Sequence, residues 1–327
     1  MKTPAEPHRH GLHHGLTYHW QARFETRTVS RADRTTAALA RSVTRARSIQ
    51  TYLTARLLVD RDLASDFFRA YAYFRWIDDV VDVEARSQSE RATFIKRQRE
   101  LIDSLYRGEL PRGLTREEEI AADLIGHDRE ESSGLHSFVR NMLAIIEFDA
   151  HRKGRPVSGP QLAWYSDALG KAVTDGLLHF VGNGHPYPQA DNRESAALAA
   201  HITHLLRDMV EDTAEGFINI PQEYLEENSI LPSDIGDPAF QAWVRSRVHL
   251  ARRHFREGKA YLDRSGVLRC KIAGYWYCAR FEGVLDLIER DGYVLRTTYP
   301  RRGKLAAWLK MAWLAAWVTW RHVTGRT

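Results

Sequence analysis

HITHLLRDMVEDTAEGFINIPQEYL, residues 201–225, places a dense set of carboxylates on a predicted helix that is followed by a proline-containing segment. Helical periodicity groups one apolar row (Leu198, Ile202, Leu205, Met209) and a second, polar row: His201, His204, Asp208, Asp212 and Glu215. Asp208 and Asp212 are four residues apart, so their carboxylates project from one face and repel each other unless a cation lies between them. Arg207 is the one cation nearby in the sequence. The stretch is therefore either a solvated acidic face or a divalent cation site.

A second stretch repeats this spacing. YAYFRWIDDVVD, residues 71–82, places Asp78 and Asp82 four residues apart, and Tyr71 and Arg75 share their face. The other face is apolar and contains Ala70, Phe74, Ile77 and Val81. One acidic pair on a helix is common, but two D-x-x-x-D helices set among aromatic residues are much less often accidental.

Composition indicates a globular protein that binds a small molecule or a membrane surface. The chain has 327 residues, of which 43% are hydrophobic and 27% are charged, as in soluble proteins. The net charge of +5 is mild, and the arginines are spread along the chain, which argues against a nucleic-acid partner. Cys270 and Cys278 lack metal-type spacing, and no apolar segment follows the start. Both features predict a reducing, cytoplasmic location without disulfides.

The spacing of prolines predicts long helices. None occurs between Pro7 and Pro111 or between Pro238 and Pro300, and strong period-2 alternation is missing. We expect one all-α domain over residues 31–303, with about ten helices around a central cavity. Predicted helices include 31–58, 62–84, 87–107, 116–128, 132–151, 161–182, 193–216, 240–262 and 271–290. The His-rich residues 1–30 are expected to be a disordered tail.

The C-terminal residues 304–327 form a predicted Trp-rich amphipathic helix. Trp313, Trp317 and Trp320 make a helical stripe, with Trp308 nearby, and Lys310 interrupts the apolar run. The run is shorter than a bilayer span, and helices of this composition lie in the membrane interface. We therefore expect peripheral membrane association. The alternative is a terminal helix docked on the core.

Carboxylates on two opposing helices suit Mg²⁺, or Mn²⁺ in its place, because these ions prefer oxygen ligands completed by substrate phosphates. Two such helices could hold a diphosphate between bridging ions, with Arg75 and Arg207 as further phosphate contacts. Loss of diphosphate leaves a carbocation, which an aromatic pocket would stabilise. The aromatic residues available are Tyr52, Phe67, Phe68, Tyr71, Phe74 and Tyr165, although each can equally be ordinary core.

Three segments together resemble the squalene/phytoene synthase family. They are YAYFRWIDDVVD, LLRDMVEDTAEGFINIPQEYL and ARFEGVLDLIERDGY, and the likeness covers roughly residues 42–305. The resemblance implies an isoprenoid synthase fold and Mg²⁺-dependent head-to-head joining of two farnesyl or geranylgeranyl diphosphates. The reaction would pass through a cyclopropylcarbinyl diphosphate to a squalene-type or phytoene-type product, and NADPH would be needed for squalene.

The resemblance also implies roles for individual residues. Asp78, Asp82, Asp208 and Asp212 would bind metal, and Arg75 and Arg207 would face diphosphate. Tyr71 and Tyr165 would border the reacting cation. Ser48 and His204 would lie on the substrate-binding surface.

Several positions depart from the family pattern. His201 and His204 stand where Gln and Asn are usual, and Phe217 replaces an Arg. Phe281 replaces a Tyr, and Lys171 and Thr174 lie in or near Gly positions. The aspartates are kept while their support is changed, which fits either a different product or reduced activity.

Other functions remain open at this stage. One is a single-substrate terpene synthase or diphosphate lyase on the same fold, and another is a non-catalytic subunit that binds prenyl diphosphates. A third is an iron or zinc site built from His201, His204, Asp208 and Asp212. The sequence indicates no oligomeric state.

Overall fold

The computed structural model describes residues 31–81, 87–128, 130, 133–299 and 304–325. The first half of this part contains helices α1 Arg31–Arg47, α2 Ile49–Leu57, α3 Ala64–Asp79, α4 Gln88–Tyr106, α5 Arg116–Gly126 and α6 Gly134–Arg152. The second half contains α7 Gly159–Phe180, α8 Ser195–Glu215, α9 Gln222–Asn228, α10 Pro238–Arg264, α11 Leu268–Arg290 and α12 Lys304–Thr324. The all-α prediction is confirmed. The expected N-terminal tail lies outside the described residues.

Local sequence signals set several of the helix starts. Ser87, Thr115 and Ser158 each cap a helix, and each forms a reciprocal capping box with the Glu or Gln three residues later. Asp237 caps α10, whose first residue is Pro238. These side chains satisfy backbone N–H groups that have no partner inside the helix.

The prediction of one helix over residues 31–58 is wrong, because the chain breaks at Ser48. This residue is extended (φ −148°, ψ 96°), and its hydroxyl accepts a hydrogen bond from the Thr51 backbone N–H. Ser48 therefore ends α1 and caps α2. A serine can offer its hydroxyl to a neighbouring N–H outside a helix as well as sit within one, and periodicity does not distinguish the two.

Helix α8 lies at the centre of the fold, packed against α7, α10 and α11. Ala199, Ala200 and Thr203 on this helix are fully buried. Gly258 of α10 lets the two backbones approach closely, since a Cβ there would lie 2.4 Å from the Ala196 nitrogen. The apolar face of α3 is buried as predicted, with Ala70, Phe74 and Ile77 in the core.

A short parallel strand pair joins the ends of α6 and α8. Strands β1 Arg155–Val157 and β2 Phe217–Pro221 pair in parallel, with a register shift between Pro156 and Val157. Gly216 ends α8 in the left-handed conformation (φ 93°), and its carbonyl accepts from the Gly154 N–H at 2.8 Å. A Cβ on Gly216 would lie 3.3 Å from that nitrogen. The pair fixes the ends of two helices side by side.

Helix α12 docks on α11 by one face only. Leu314 and Val318 are buried, and the Trp276 indole N–H donates to the Met311 carbonyl at 2.9 Å. Arg321 reaches Asp263 at the end of α10, with 3.1 Å between nitrogen and oxygen. The alternative of a docked terminal helix thus holds for this face. Among the described helices, none has the length and apolar character needed to cross a membrane.

Candidate active site

The carboxylates of α3 are held by arginines. Arg75 lies 3.1 Å from Asp78 and 2.5 Å from Asp79, measured between nitrogen and oxygen. Arg47 from α1 binds the second oxygen of Asp79 at 2.7 Å. Burial raises the pKa of Asp78, and Arg75 only partly opposes this effect. Asp82, the fourth predicted metal ligand, lies outside the described residues.

On α8, Asp208 is bound from two sides. Arg207 donates two hydrogen bonds to its carboxylate, each 2.6 Å long. His204 Nε2 lies 2.9 Å from the Asp208 Oδ2 atom. Burial would raise the pKa of Asp208, but these two partners more than offset it and leave the pKa below its usual range. Asp208 is therefore ionised and is paired with Arg207 and His204.

Asp212, one turn further along α8, has no such compensation. Burial and the neighbouring charge of Asp208 raise its pKa to about 7. Its partner is the buried Asn219 of β2, whose amide N–H donates to Asp212 at 3.0 Å. The predicted repulsion between the two carboxylates is thus present, and Arg207 relieves it for one of them only.

The two acidic helices face a common space. Asp78 of α3 lies within electrostatic reach of His204 on α8 and of Asp149 on α6. Asp212 is in turn influenced by Asp149 and by Arg152. Helices α3, α6 and α8 therefore present their charged side chains to one another.

Asp149 and Arg152 of α6 belong to the site, and sequence reasoning missed them. The Asp149 carboxylate accepts from Arg152 Nε at 2.6 Å and from the Tyr165 hydroxyl at 2.8 Å. Burial raises the pKa of Asp149 and raises that of Tyr165 well above 10. A usable signal was the pair of opposite charges at i and i+3 among the apolar residues that end α6.

His201 is buried beside Tyr165, with its ring centroid 5.0 Å from that of the tyrosine. Burial lowers the pKa of His201 to about 3, so the ring is neutral at pH 7. Within the described residues its Nε2 atom has no hydrogen-bond partner. His204, by contrast, is half exposed, with its ring 6.3 Å from Phe281. The two histidines of one predicted row therefore have different surroundings.

The remaining predicted residues divide between site and core. Tyr165 lies in the site, and Tyr71 is half-buried on α3, within electrostatic reach of Arg75. Phe68 and Phe74 are core side chains that pack on Tyr52 and Phe138, respectively. For these two, ordinary core is the better description. Ser48 caps α2, and its contact with substrate stays a prediction.

The donor set fits a divalent cation. Asp212 is a half-buried carboxylate beside another carboxylate, and the charge of Arg152 only partly opposes the resulting rise in its pKa. Oxygen donors are the ligands that Mg²⁺ prefers, with substrate oxygens and water completing its shell. Among the described residues, no three His, Cys, Asp or Glu side chains cluster closely enough to hold a metal alone. A cation held by these carboxylates would take further ligands from water or from a bound anion.

An all-α fold with carboxylates on two facing helices is the architecture of isoprenoid synthases, and comparison with known proteins identifies the family. The squalene/phytoene synthase family model matches residues 44–308. The chain belongs to this family, whose members are prenyltransferases.

Curated relatives carry two kinds of name. Presqualene diphosphate synthase of Rhodopseudomonas palustris is 24% identical over 264 residues, which covers 78% of this chain and 88% of that protein. Phytoene synthase of Cereibacter sphaeroides is 24% identical over 306 residues, covering 83% and 78%. Both names describe head-to-head prenyl transfer, and they differ in product.

Solved structures support the fold. A dehydrosqualene synthase in complex with a ligand superposes with a TM-score of 0.66 at 15% identity, covering 88% of this chain and 97% of that one. A squalene synthase from Alicyclobacillus acidocaldarius gives a TM-score of 0.62 at 20% identity, covering 80% and 96%. The predicted isoprenoid synthase fold is confirmed.

Proposed function

We propose that this protein condenses two allylic prenyl diphosphates, farnesyl or geranylgeranyl, head to head. The product would be of the squalene or phytoene type, formed through a cyclopropylcarbinyl diphosphate. The observation that carries the proposal is the pair of carboxylate helices: Asp78 on α3 lies within electrostatic reach of His204 on α8, and His204 contacts Asp208. Family membership supplies the reaction class, and the relatives differ in product, so the chain length is left to experiment.

Asp78, Asp208 and Asp212, with Asp82 outside the described residues, would hold Mg²⁺. When bound, this ion would neutralise charge on the diphosphate leaving group. The raised pKa of Asp212 supports the assignment, because Arg152 offsets only part of the effect of burial and of Asp208, and a bound cation would offset more. Arg75 and Arg207 would exchange part of their present ion pairs for substrate phosphate oxygens.

Tyr165 would lie beside the reacting carbons. Its hydroxyl is fixed by Asp149 at 2.8 Å, and its raised pKa keeps it protonated. The π face of a tyrosine attracts positive charge, so this ring would stabilise a developing carbocation without reacting with it. Tyr71, half-buried on α3, would act in the same way.

The test is incubation of the purified protein with farnesyl or geranylgeranyl diphosphate, Mg²⁺, and with or without NADPH. We expect diphosphate release and a product that contains both prenyl chains. A product with the carbon count of one substrate would instead identify a single-substrate terpene synthase or lyase. Substrate binding without any diphosphate release would identify a non-catalytic subunit. A product formed only with NADPH would indicate squalene.

A further inference from the structure

Arg152, the last residue of α6, is a buried cation with an unused hydrogen-bond donor. The side chain is 8% exposed. Its Nε donates to Asp149 at 2.6 Å, whereas Nη1 is buried and finds no acceptor among the described residues. Buried guanidinium nitrogens nearly always have partners, so an unpaired one points to a ligand or to water.

Aromatic rings hold this guanidinium in place. Its central carbon lies 5.5 Å from the Phe148 ring centroid, 5.2 Å from that of Tyr165 and 5.4 Å from that of Phe217. Such rings attract the cation and restrict its rotation, but they accept no conventional hydrogen bond from its N–H groups. The single carboxylate of Asp149 is shared with the Tyr165 hydroxyl. The Arg152 guanidinium is therefore fixed in orientation, and only some of its N–H groups have an acceptor.

Arg152 acts on the candidate metal site. Its positive charge partly opposes the rise in the pKa of Asp212, and it contributes to the lowered pKa of His201, which lies on α8 with Asp212. Backbone pairing of β1 with β2 positions the end of α6 beside the end of α8. Arg152 thus lies where an anion bound at Asp212 through a metal would come within reach.

We propose that Arg152 is a diphosphate-binding residue and that Nη1 donates to a phosphate oxygen of the substrate or of the released diphosphate. The N–H groups of a planar guanidinium with fixed orientation match the geometry of phosphate oxygens, and such charge-assisted hydrogen bonds are strong. The inference rests on the proposed function only in that the ligand carries a diphosphate.

The test uses inorganic diphosphate with Mg²⁺ as the probe, titrated calorimetrically into the full-length protein and its variants. We expect Arg152→Met to weaken diphosphate binding about 10- to 100-fold and Arg152→Lys to weaken it less. The matched control is Arg155→Met, which removes the same charge from an exposed position three residues away and should leave the affinity unchanged. Thermal unfolding of each variant reports separately on structural damage.

Equal diphosphate affinity of wild type and Arg152→Met would overturn the proposal and would show that Arg152 only supports Asp149. If Arg152→Met does not fold, the double variant Asp149→Asn/Arg152→Met removes both ion-pair partners, and its affinity is compared with that of Asp149→Asn alone. If Arg152→Met loses diphosphate binding and the wild-type protein shows no turnover, this inference is supported and the proposed reaction is refuted. If the wild-type protein turns over and Arg152→Met binds diphosphate as well as wild type does, the inference is refuted and the proposed reaction is supported.

A separate surface, the outer face of α12, carries an independent inference. Leu309, Trp313, Trp320 and Val323 follow one helical stripe on the side away from α11. Trp313 is 64% exposed and Trp320 is 50% exposed, although large apolar side chains are usually buried. From residue 292 to 327 the sequence contains seven Lys or Arg and no Asp or Glu.

We propose that this outer face binds an anionic lipid bilayer. Tryptophan is enriched at the membrane interface, and basic residues beside it are attracted to anionic headgroups. Helix α11 lies between this surface and the candidate site, because Trp276 contacts α12 whereas Phe281 lies near His204. The bilayer would therefore lie about one helix diameter, ~10 Å, from the site wall.

Vesicle co-sedimentation tests this binding, with phosphatidylcholine vesicles compared with vesicles that also contain phosphatidylglycerol. We expect the full-length protein to prefer the anionic vesicles, and Trp313→Ser/Trp320→Ser to bind at least about tenfold less. The control is Leu231→Ser, which removes an equally exposed apolar side chain elsewhere and should bind as wild type does. Unchanged vesicle binding by the double Trp variant would overturn the proposal. So would a wild-type protein that binds no vesicles and forms a dimer through this face, which the double variant would no longer form.

Discussion

Gly258→Ala tests whether the close approach of α10 and α8 positions the site. An alanine Cβ at this position would lie 2.4 Å from the nitrogen, 2.7 Å from the Cα and 2.7 Å from the Cβ of Ala196. Ordinary contacts begin near 3.4 Å, so the helices would separate by about 1 Å. Backbone atoms of a packed helix cannot rotate away as a flexible side chain can.

The expected magnitude follows from two opposing effects. Overpacking costs typically about 1–3 kcal/mol, and a backbone clash belongs at the upper end. Alanine recovers about 1 kcal/mol relative to glycine within a helix. We therefore expect net destabilisation of about 1–2 kcal/mol. Because α8 carries Asp208 and Asp212, a shift of this size should also slow diphosphate release, since catalysis depends on sub-ångström positioning.

Urea unfolding at 25 °C measures the free energy, provided that the m-value is unchanged. The matched control is Gly159→Ala at the start of α7, where a Cβ meets nothing within 4 Å. That variant should lie within about 0.5 kcal/mol of wild type. The reasoning would be refuted if Gly258→Ala were as stable and as active as the wild-type protein.

Three further predictions concern charge. Burial lowers the pKa of His201 from 6.5 to about 3 on folding, so the unfolded chain binds an extra proton below pH 6.5. The free energy of unfolding should therefore fall below pH 6.5 by up to about 1.4 kcal/mol per pH unit. Urea titrations of His201→Gln should show a flatter slope. Burial and Asp208 raise the Asp212 pKa to about 7, so the ligand-free protein should gain stability as the pH falls from 7 towards 4. Asp212→Asn should have a higher melting temperature at pH 8 but should lose Mg²⁺-dependent diphosphate release. Arg97 lowers the Glu118 pKa to about 2, so this carboxylate should stabilise the fold above pH 4.5 and lose that contribution as the pH falls towards 2. Thermal or urea unfolding at pH 7 should show Glu118→Gln to be less stable than wild type by about 1–3 kcal/mol.

The helices and the acidic rows could be predicted from the sequence because both repeat along one element. The spacing of Asp208 and Asp212 follows from helix geometry alone, and the apolar face of α3 is buried as its period requires. The break at Ser48 could not be predicted in this way, because it depends on a single side chain that bonds its own backbone.

The position of the partners across the site could not be predicted for a different reason. Asp149 and Arg152 form a charge pair at i and i+3, but the sequence does not say what that pair faces; it reaches the site because β1 pairs with β2 and brings the end of α6 to the end of α8. The different burial of His201 and His204, one turn apart on one helix, is likewise set by what packs on each face. Such features depend on tertiary contacts between segments distant in sequence.

The most direct test of the central claim is mass-spectrometric product analysis. Purified protein is incubated with farnesyl or geranylgeranyl diphosphate and Mg²⁺, with Asp208→Asn as the inactive control. Head-to-head condensation predicts diphosphate release and a product with twice the carbon number of the substrate, absent from the control. A product with unchanged carbon number, or no diphosphate release from either substrate, would contradict it.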